Sequence, residues 1–121
     1  MNIRIEYSKL ICILHLQGDL DLFSAELLKR QFQLQFNRGL KQLILDMQQV
    51  EYIDSMGIGS LLYIFSETKK RNISLHIVGV HGTPRKVIEL TRLDRYFPLA
   101  ESLQEVLDEF DEDGGHEDEW S

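Results

Sequence analysis

Asp54-Ser55-Met56-Gly57-Ile58-Gly59 holds the side chains best placed for chemistry in this chain of 121 residues. Leu43-Ile44-Leu45 upstream reads as a buried strand, and Ile58, Leu61, Leu62 and Phe65 downstream recur at helical spacing. A junction of that kind sets a serine hydroxyl at the mouth of a helix, on the surface and beside acids. Such a hydroxyl is well placed to carry a phosphate and expose it to a partner. Asp54 or Ser55 could cap the helix through a side-chain oxygen. Gly57 and Gly59 sit in its first turns, where glycine costs up to ~1 kcal/mol relative to alanine. That cost implies close approach of a backbone or a ligand, or tight helix–strand packing. Gly18-Asp19-Leu20-Asp21 interrupts the chain after an earlier strand. Parallel strands deliver their following loops to one edge of a sheet, so Asp21 and Ser55 are expected to be neighbours.

The elements that must hold these loops follow from periodicity. Ile3, Ile5 and Tyr7 alternate as in a half-buried strand. Leu10, Cys12, Leu14 and Leu16 mark one face of a second strand and Ile11 and Ile13 the other, which predicts a central position. Leu27, Leu28, Phe32 and Phe36 predict a first helix closed by Gly39. The second helix ends in Lys69-Lys70-Arg71, cations suited to the negative end of its dipole. Residues 74–78 predict a fourth strand, and Thr83-Pro84 opens a third helix. Residues 95–98 are a further short edge strand, and Leu103, Val106, Leu107 and Phe110 a fourth helix. The order predicts an α/β sandwich with a mixed sheet of four to five strands and about four helices.

Charge must be located before it is interpreted. Of 20 acids against 13 bases, eight lie in residues 108–121, which hold no Lys or Arg. The remainder, 12 acids and 13 bases, is near neutral at +1. This balance excludes nucleic acid as the expected partner. Six acids in residues 111–121, without apolar periodicity, predict a disordered tail beyond a domain of residues 1–110. No apolar run reaches the ~20 residues of a membrane span. The charged start, MNIRIEYSK, is no signal peptide, so we expect a cytoplasmic protein. Cys12 lies in a strand pattern and reads as a packed thiol.

Together, Gly18-Asp19-Leu20-Asp21, Leu43-Ile44-Leu45-Asp46 and residues 52–59 resemble the STAS domain of bacterial anti-sigma factor antagonists, over roughly residues 2–110. The resemblance implies a partner switch. The unphosphorylated protein binds an anti-sigma factor that is also a serine kinase, and a sigma factor or other client is released. Phosphorylation of the serine after the Asp ends the binding, and a PP2C-type phosphatase restores it. By position that serine is Ser55, the flanking acid is Asp54 and the acid of the upstream loop is Asp21. The position after the serine is commonly Ser or Thr in the family; here it is Met56. A bulky apolar side chain there keeps a second reading open, a constitutive STAS scaffold such as a subunit of a lipid-transport complex.

Phe23, next to Asp21, and Met56 fit neither helix's apolar stripe, so both are expected on the partner surface with Asp21, Asp54, Gly57, Ile58 and Gly59. Residues 79–86 lack the phosphate-loop spacing, and Pro84 removes an N–H, so we read a loop entering a helix. His15, His76, His81 and His116 have no ligand spacing, and no nucleophile elbow surrounds Ser55. The tail acids match no EF-hand loop. We expect a non-enzymatic binding protein with no cofactor or metal, monomeric when free.

Overall fold

The structure is a computed structural model that describes residues 1–8, 10–35 and 39–110. The expected tail, residues 111–121, lies outside them, as does Phe36 of the first helix's stripe. The elements run β1 (Asn2–Ser8), β2 (Ile11–Gln17), α1 (Leu22–Gln35), β3 (Gln42–Gln49), α2 (Ser55–Lys70), β4 (Ser74–Val78), α3 (Gly82–Leu90), β5 (Leu99–Ala100) and α4 (Leu103–Phe110). They form one five-stranded sheet in the order β1-β2-β3-β4-β5. β1 pairs antiparallel with β2, and each later pair is parallel.

Strand order equals chain order, so each crossover steps the same way across the sheet. Right-handed connections then place α1, α2 and α3 on one face. Leu28 and Phe32 of α1, Leu61 and Ile64 of α2 and Ile88 of α3 share one buried cluster with Leu14, Leu43, Leu45 and Ile77 of the strands. α4 takes the other face, where Val106 packs with Ile11, Ile13, Ile44 and Val78. Cover on both sides is why β2 is buried from Ile11 to Leu14.

Two local expectations need correction. Leu10 precedes β2 and is exposed, so the buried face of that strand begins at Cys12. The edge strand is Leu99–Ala100 rather than residues 95–98. The N–H groups of Tyr96 and Phe97 both donate to the Leu93 carbonyl, at 3.0 and 2.8 Å, which curls this stretch into a turn and drives Phe97 into the core. Pairing starts only at the Pro98 carbonyl, which accepts from the Ile77 N–H at 2.9 Å. Residues 79–86 are a loop running into a helix, as their sequence suggests: Gly79 (φ 75°) folds against Gln48, and from Gly82 onward the segment is already α3. Among the described residues no helix is long and apolar enough to cross a membrane.

Candidate functional site

Both loops leaving β2 and β3 emerge at the same sheet edge, and backbone hydrogen bonds zip them together. The Gly18 N–H donates to the Gln49 carbonyl (3.1 Å), the Leu20 N–H to Tyr52 (2.9 Å) and the Asp54 N–H back to Leu20 (3.2 Å). Leu20 and Ile53, both buried, form a parallel bridge. The residues that follow each of them, Asp21 and Asp54, therefore stand side by side at the sheet edge.

Each of those carboxylates caps a helix. Asp54 has extended backbone (φ −114°, ψ −173°), and its Oδ1 accepts from the Met56 and Gly57 N–H groups, both at 2.9 Å. Asp21 Oδ1 accepts from the Phe23 and Ser24 N–H groups, both at 3.1 Å. Ser24 Oγ in turn accepts from the Asp21 N–H at 2.8 Å and donates to the Asp19 carbonyl at 2.7 Å. This reciprocal pair is a capping box shifted to an Asp-x-x-Ser spacing. The sequence left Asp54 and Ser55 as alternative caps; Asp54 takes the role. Ser55 is the first residue of α2, exposed, and among the described residues no hydrogen bond holds its hydroxyl.

The N–H groups of Ser24 and Phe23, with the Ser24 hydroxyl, hold the Asp21 carboxyl below the usual carboxylate range, the Ser24 backbone contributing most. A lowered value means that the folded state favours the ionised form. Its contribution to stability is complete above the unfolded value and lost as pH falls through the lower folded one, in the region below about pH 4. Asparagine caps about as well as aspartate. Asp21→Asn should therefore melt close to wild type at pH 7 and lose less on acidification to pH 3, while partner binding or phosphate uptake falls. Melting curves at both pH values, beside a binding assay, check this.

The two glycines of α2 differ in kind. A Cβ on Gly57 would collide with the Leu20 carbonyl oxygen and lie 2.7 Å from Ile53 Cγ1, so this glycine lets the bridged loops press on the helix. A Cβ on Gly59 would meet nothing within 4 Å. Ile58 and Gly57 are both buried, beneath the exposed start of α2. Phe23 is 83% exposed and Met56 44% exposed. Leu22 and Tyr52, which sequence reasoning did not single out, are exposed beside them. Their signal was available: each is a large apolar residue adjoining the paired loops and outside every buried stripe. The site thus combines the exposed Ser55 hydroxyl, which follows the Asp54 cap, with the Asp21 cap of the paired loop and the exposed side chains of Leu22, Phe23, Tyr52 and Met56 on the same two loop-to-helix segments.

The family model of the STAS domain matches residues 2–106. This chain belongs to the STAS domain family. A Thermotoga neapolitana STAS relative, provisionally named an anti-sigma factor antagonist, is 26% identical over 100 residues, covering 82% of this chain and 88% of its own. The anti-sigma F factor antagonist of Paenibacillus polymyxa is 18% identical over 112 residues, covering 92% and 96%. The Bacillus protein SpoIIAA in its phosphorylated form shares the fold at a TM-score of 0.69 and 20% identity, over 89% of this chain and 98% of its own. Its unphosphorylated form does so at 0.68 and 17%, over 89% and 96%. The mixed five-stranded sheet with four helices is the STAS fold.

Proposed function

We propose that this STAS domain is a regulatory binding protein switched by a phosphate on Ser55. Without the phosphate it holds an anti-sigma factor that is also a serine kinase, and a sigma factor or other client is thereby set free. With the phosphate it lets go, and a PP2C-type phosphatase resets it. The observation that carries this reading is the Ser55 hydroxyl, exposed and unengaged at the first position of α2. The other serines nearby are poor acceptors. Ser24 is buried and bound to the Asp19 carbonyl, and Ser60 is buried and donates to the Gly57 carbonyl at 2.7 Å. The anti-sigma factor antagonist names of its relatives, and a similar fold in SpoIIAA with and without phosphate, agree with such a role.

The physics supports a switch that leaves the fold intact. A phosphate adds about −1.5 to −2 charges and three acceptor oxygens. Asp54 uses the N–H groups of Met56 and Gly57, so the Ser55 N–H remains at the positive end of the helix for an added anion. Asp54 and Asp21 beside it add negative charge that a bound partner must also face.

Incubation with ATP and the serine kinases of the same genome, followed by mass mapping, tests the assignment. Wild type should gain one phosphate, on Ser55. Ser55→Ala should still bind the kinase and gain none. Normal incorporation in Ser55→Ala would exclude Ser55 as the acceptor. Binding without incorporation in wild type would instead favour the constitutive scaffold that Met56 leaves open.

A further inference from the structure

β1 is the free edge of the sheet: it pairs with β2 on one side and, among the described residues, with no strand on the other. Six of its seven residues are exposed and Ile3 is half-buried. An edge of this length presents unpaired N–H and C=O groups to any strand that approaches. Its side chains alternate. Ile3, Ile5 and Tyr7 lie on the face that carries α1, α2 and α3, opposite Leu16, Leu14 and Cys12 of β2, whereas Arg4 and Glu6 lie on the α4 face.

From this pattern we infer that β1 is a self-association edge whose occupant is the β1 strand of a second copy. An antiparallel pair centred on Ile5 sets residue i against residue 10 − i. Ile5 then meets Ile5 of the other copy, and Ile3 meets Tyr7. Arg4 meets Glu6, and by the twofold Glu6 meets Arg4. Opposite charges directly across an antiparallel pair are stabilising and like charges destabilising. A register shifted by two residues in either direction, centred on Arg4 or on Glu6, opposes like charges instead. The strand's charges are thus self-complementary in one register, as an isologous interface requires.

The surroundings fit the same seam. A twofold normal to the sheet keeps each face continuous, so the α1 helices of the two copies lie on the same face as Ile3, Ile5 and Tyr7. Leu27 and Leu34 lie seven residues apart on one side of α1, and Leu34 is 58% exposed. Within one copy, Glu6 Oε1 lies 2.8 Å from His15 Nε2 and 3.9 Å from Arg4 Nη1 of its own strand, so a second copy's Arg4 adds to an existing charge cluster, with Asp46 Oδ2 2.7 Å from His15 Nδ1. The resulting pair, built on one short ladder, is a reversible dimer that carries two Ser55 surfaces. It is the alternative to the free monomer expected from the sequence.

Sedimentation velocity of the full chain over a concentration series tests this. Wild type should shift from monomer to dimer mass as concentration rises. Arg4→Glu places two like-charge contacts across the seam by symmetry and should weaken the dimer by at least about tenfold. The double variant Arg4→Glu, Glu6→Arg restores opposite charges and should recover much of the loss. Glu6→Arg also severs the contact to His15, so a melting curve accompanies each variant. Ile5→Lys, which sets lysine against lysine on the twofold without touching that contact, should also give monomer. Monomer mass for wild type at every concentration overturns the inference. So does a dimer indifferent to both Arg4→Glu and Ile5→Lys, or a folded double variant no stronger than Arg4→Glu alone.

Discussion

Gly57→Ala is expected to destabilise the domain by about 1–3 kcal/mol, the cost of forcing a methyl into a closed space. The new Cβ would meet the Leu20 carbonyl oxygen and Ile53 Cγ1, and neither is the free end of a flexible chain. Leu20 is pinned by its hydrogen bonds to Tyr52 and Asp54, so relief requires the two loops to part from α2. That movement displaces Asp21 and Asp54 together, and partner binding should fall with stability. Gly59→Ala, two residues along the same helix, is the contrast. Its methyl enters open space, so helix propensity alone decides, and the variant should gain up to ~1 kcal/mol. Paired thermal or urea melts read both changes. Equal effects in the two variants would mean that the bridge does not press on α2 as described. If Gly59→Ala is stabler yet binds its partner less well, the opening at Gly59 is used by the partner.

The second large effect is electrostatic. A charge added at Ser55 repels a partner acid ~6 Å away by roughly 3 kcal/mol per unit pair at an effective dielectric of ~20. That corresponds to about a hundredfold in affinity. Ser55→Asp supplies about one charge on a shorter arm, against −1.5 to −2 for phosphate. It should weaken the complex by about tenfold or more and reproduce the phosphorylated state only in part. The fold should be untouched, because an acid in the first turn of a helix is favourable to the dipole. Circular dichroism and melting near wild type, with weaker binding, are the expected outcome. Unfolding of Ser55→Asp would show that the position is structural.

Much of this arrangement is legible in the sequence because it is local. Alternation in β1, the run Leu43-Ile44-Leu45 and the helical stripe Leu61, Leu62 and Phe65 depend on near neighbours alone. The strand-to-helix junction at Ser55 follows from them, and with it the exposure of the hydroxyl. What was ambiguous depends on distant residues. Asp54, not Ser55, caps α2 because the bridge between Leu20 and Ile53 holds Asp54 extended, a contact between loops 33 positions apart. Gly57 and Gly59 look alike in sequence; only the Leu20 carbonyl distinguishes them. The edge strand was placed too early because Tyr96 and Phe97 have strand-like side chains, yet their N–H groups are claimed by Leu93. Ile58 is the simple case: its place in the stripe with Leu61 predicts the burial that the fold shows.

The fold also explains how one edge can hold the structural residues of the site apart from the proposed switch. Two buried residues, Leu20 and Ile53, anchor the loops from beneath. Two capping carboxylates fix the helix starts above them. The Ser55 hydroxyl lies outside both sets, so a phosphate placed there would change surface charge without breaking a structural bond.

The most direct test of this account is calorimetric titration of the partner kinase with two preparations of the protein, one unmodified and one carrying phosphate on Ser55 alone. The account predicts binding by the unmodified protein and an affinity lower by about a hundredfold or more for the phosphorylated one, with identical melting behaviour. Equal affinity of the two preparations, both folded, would contradict it.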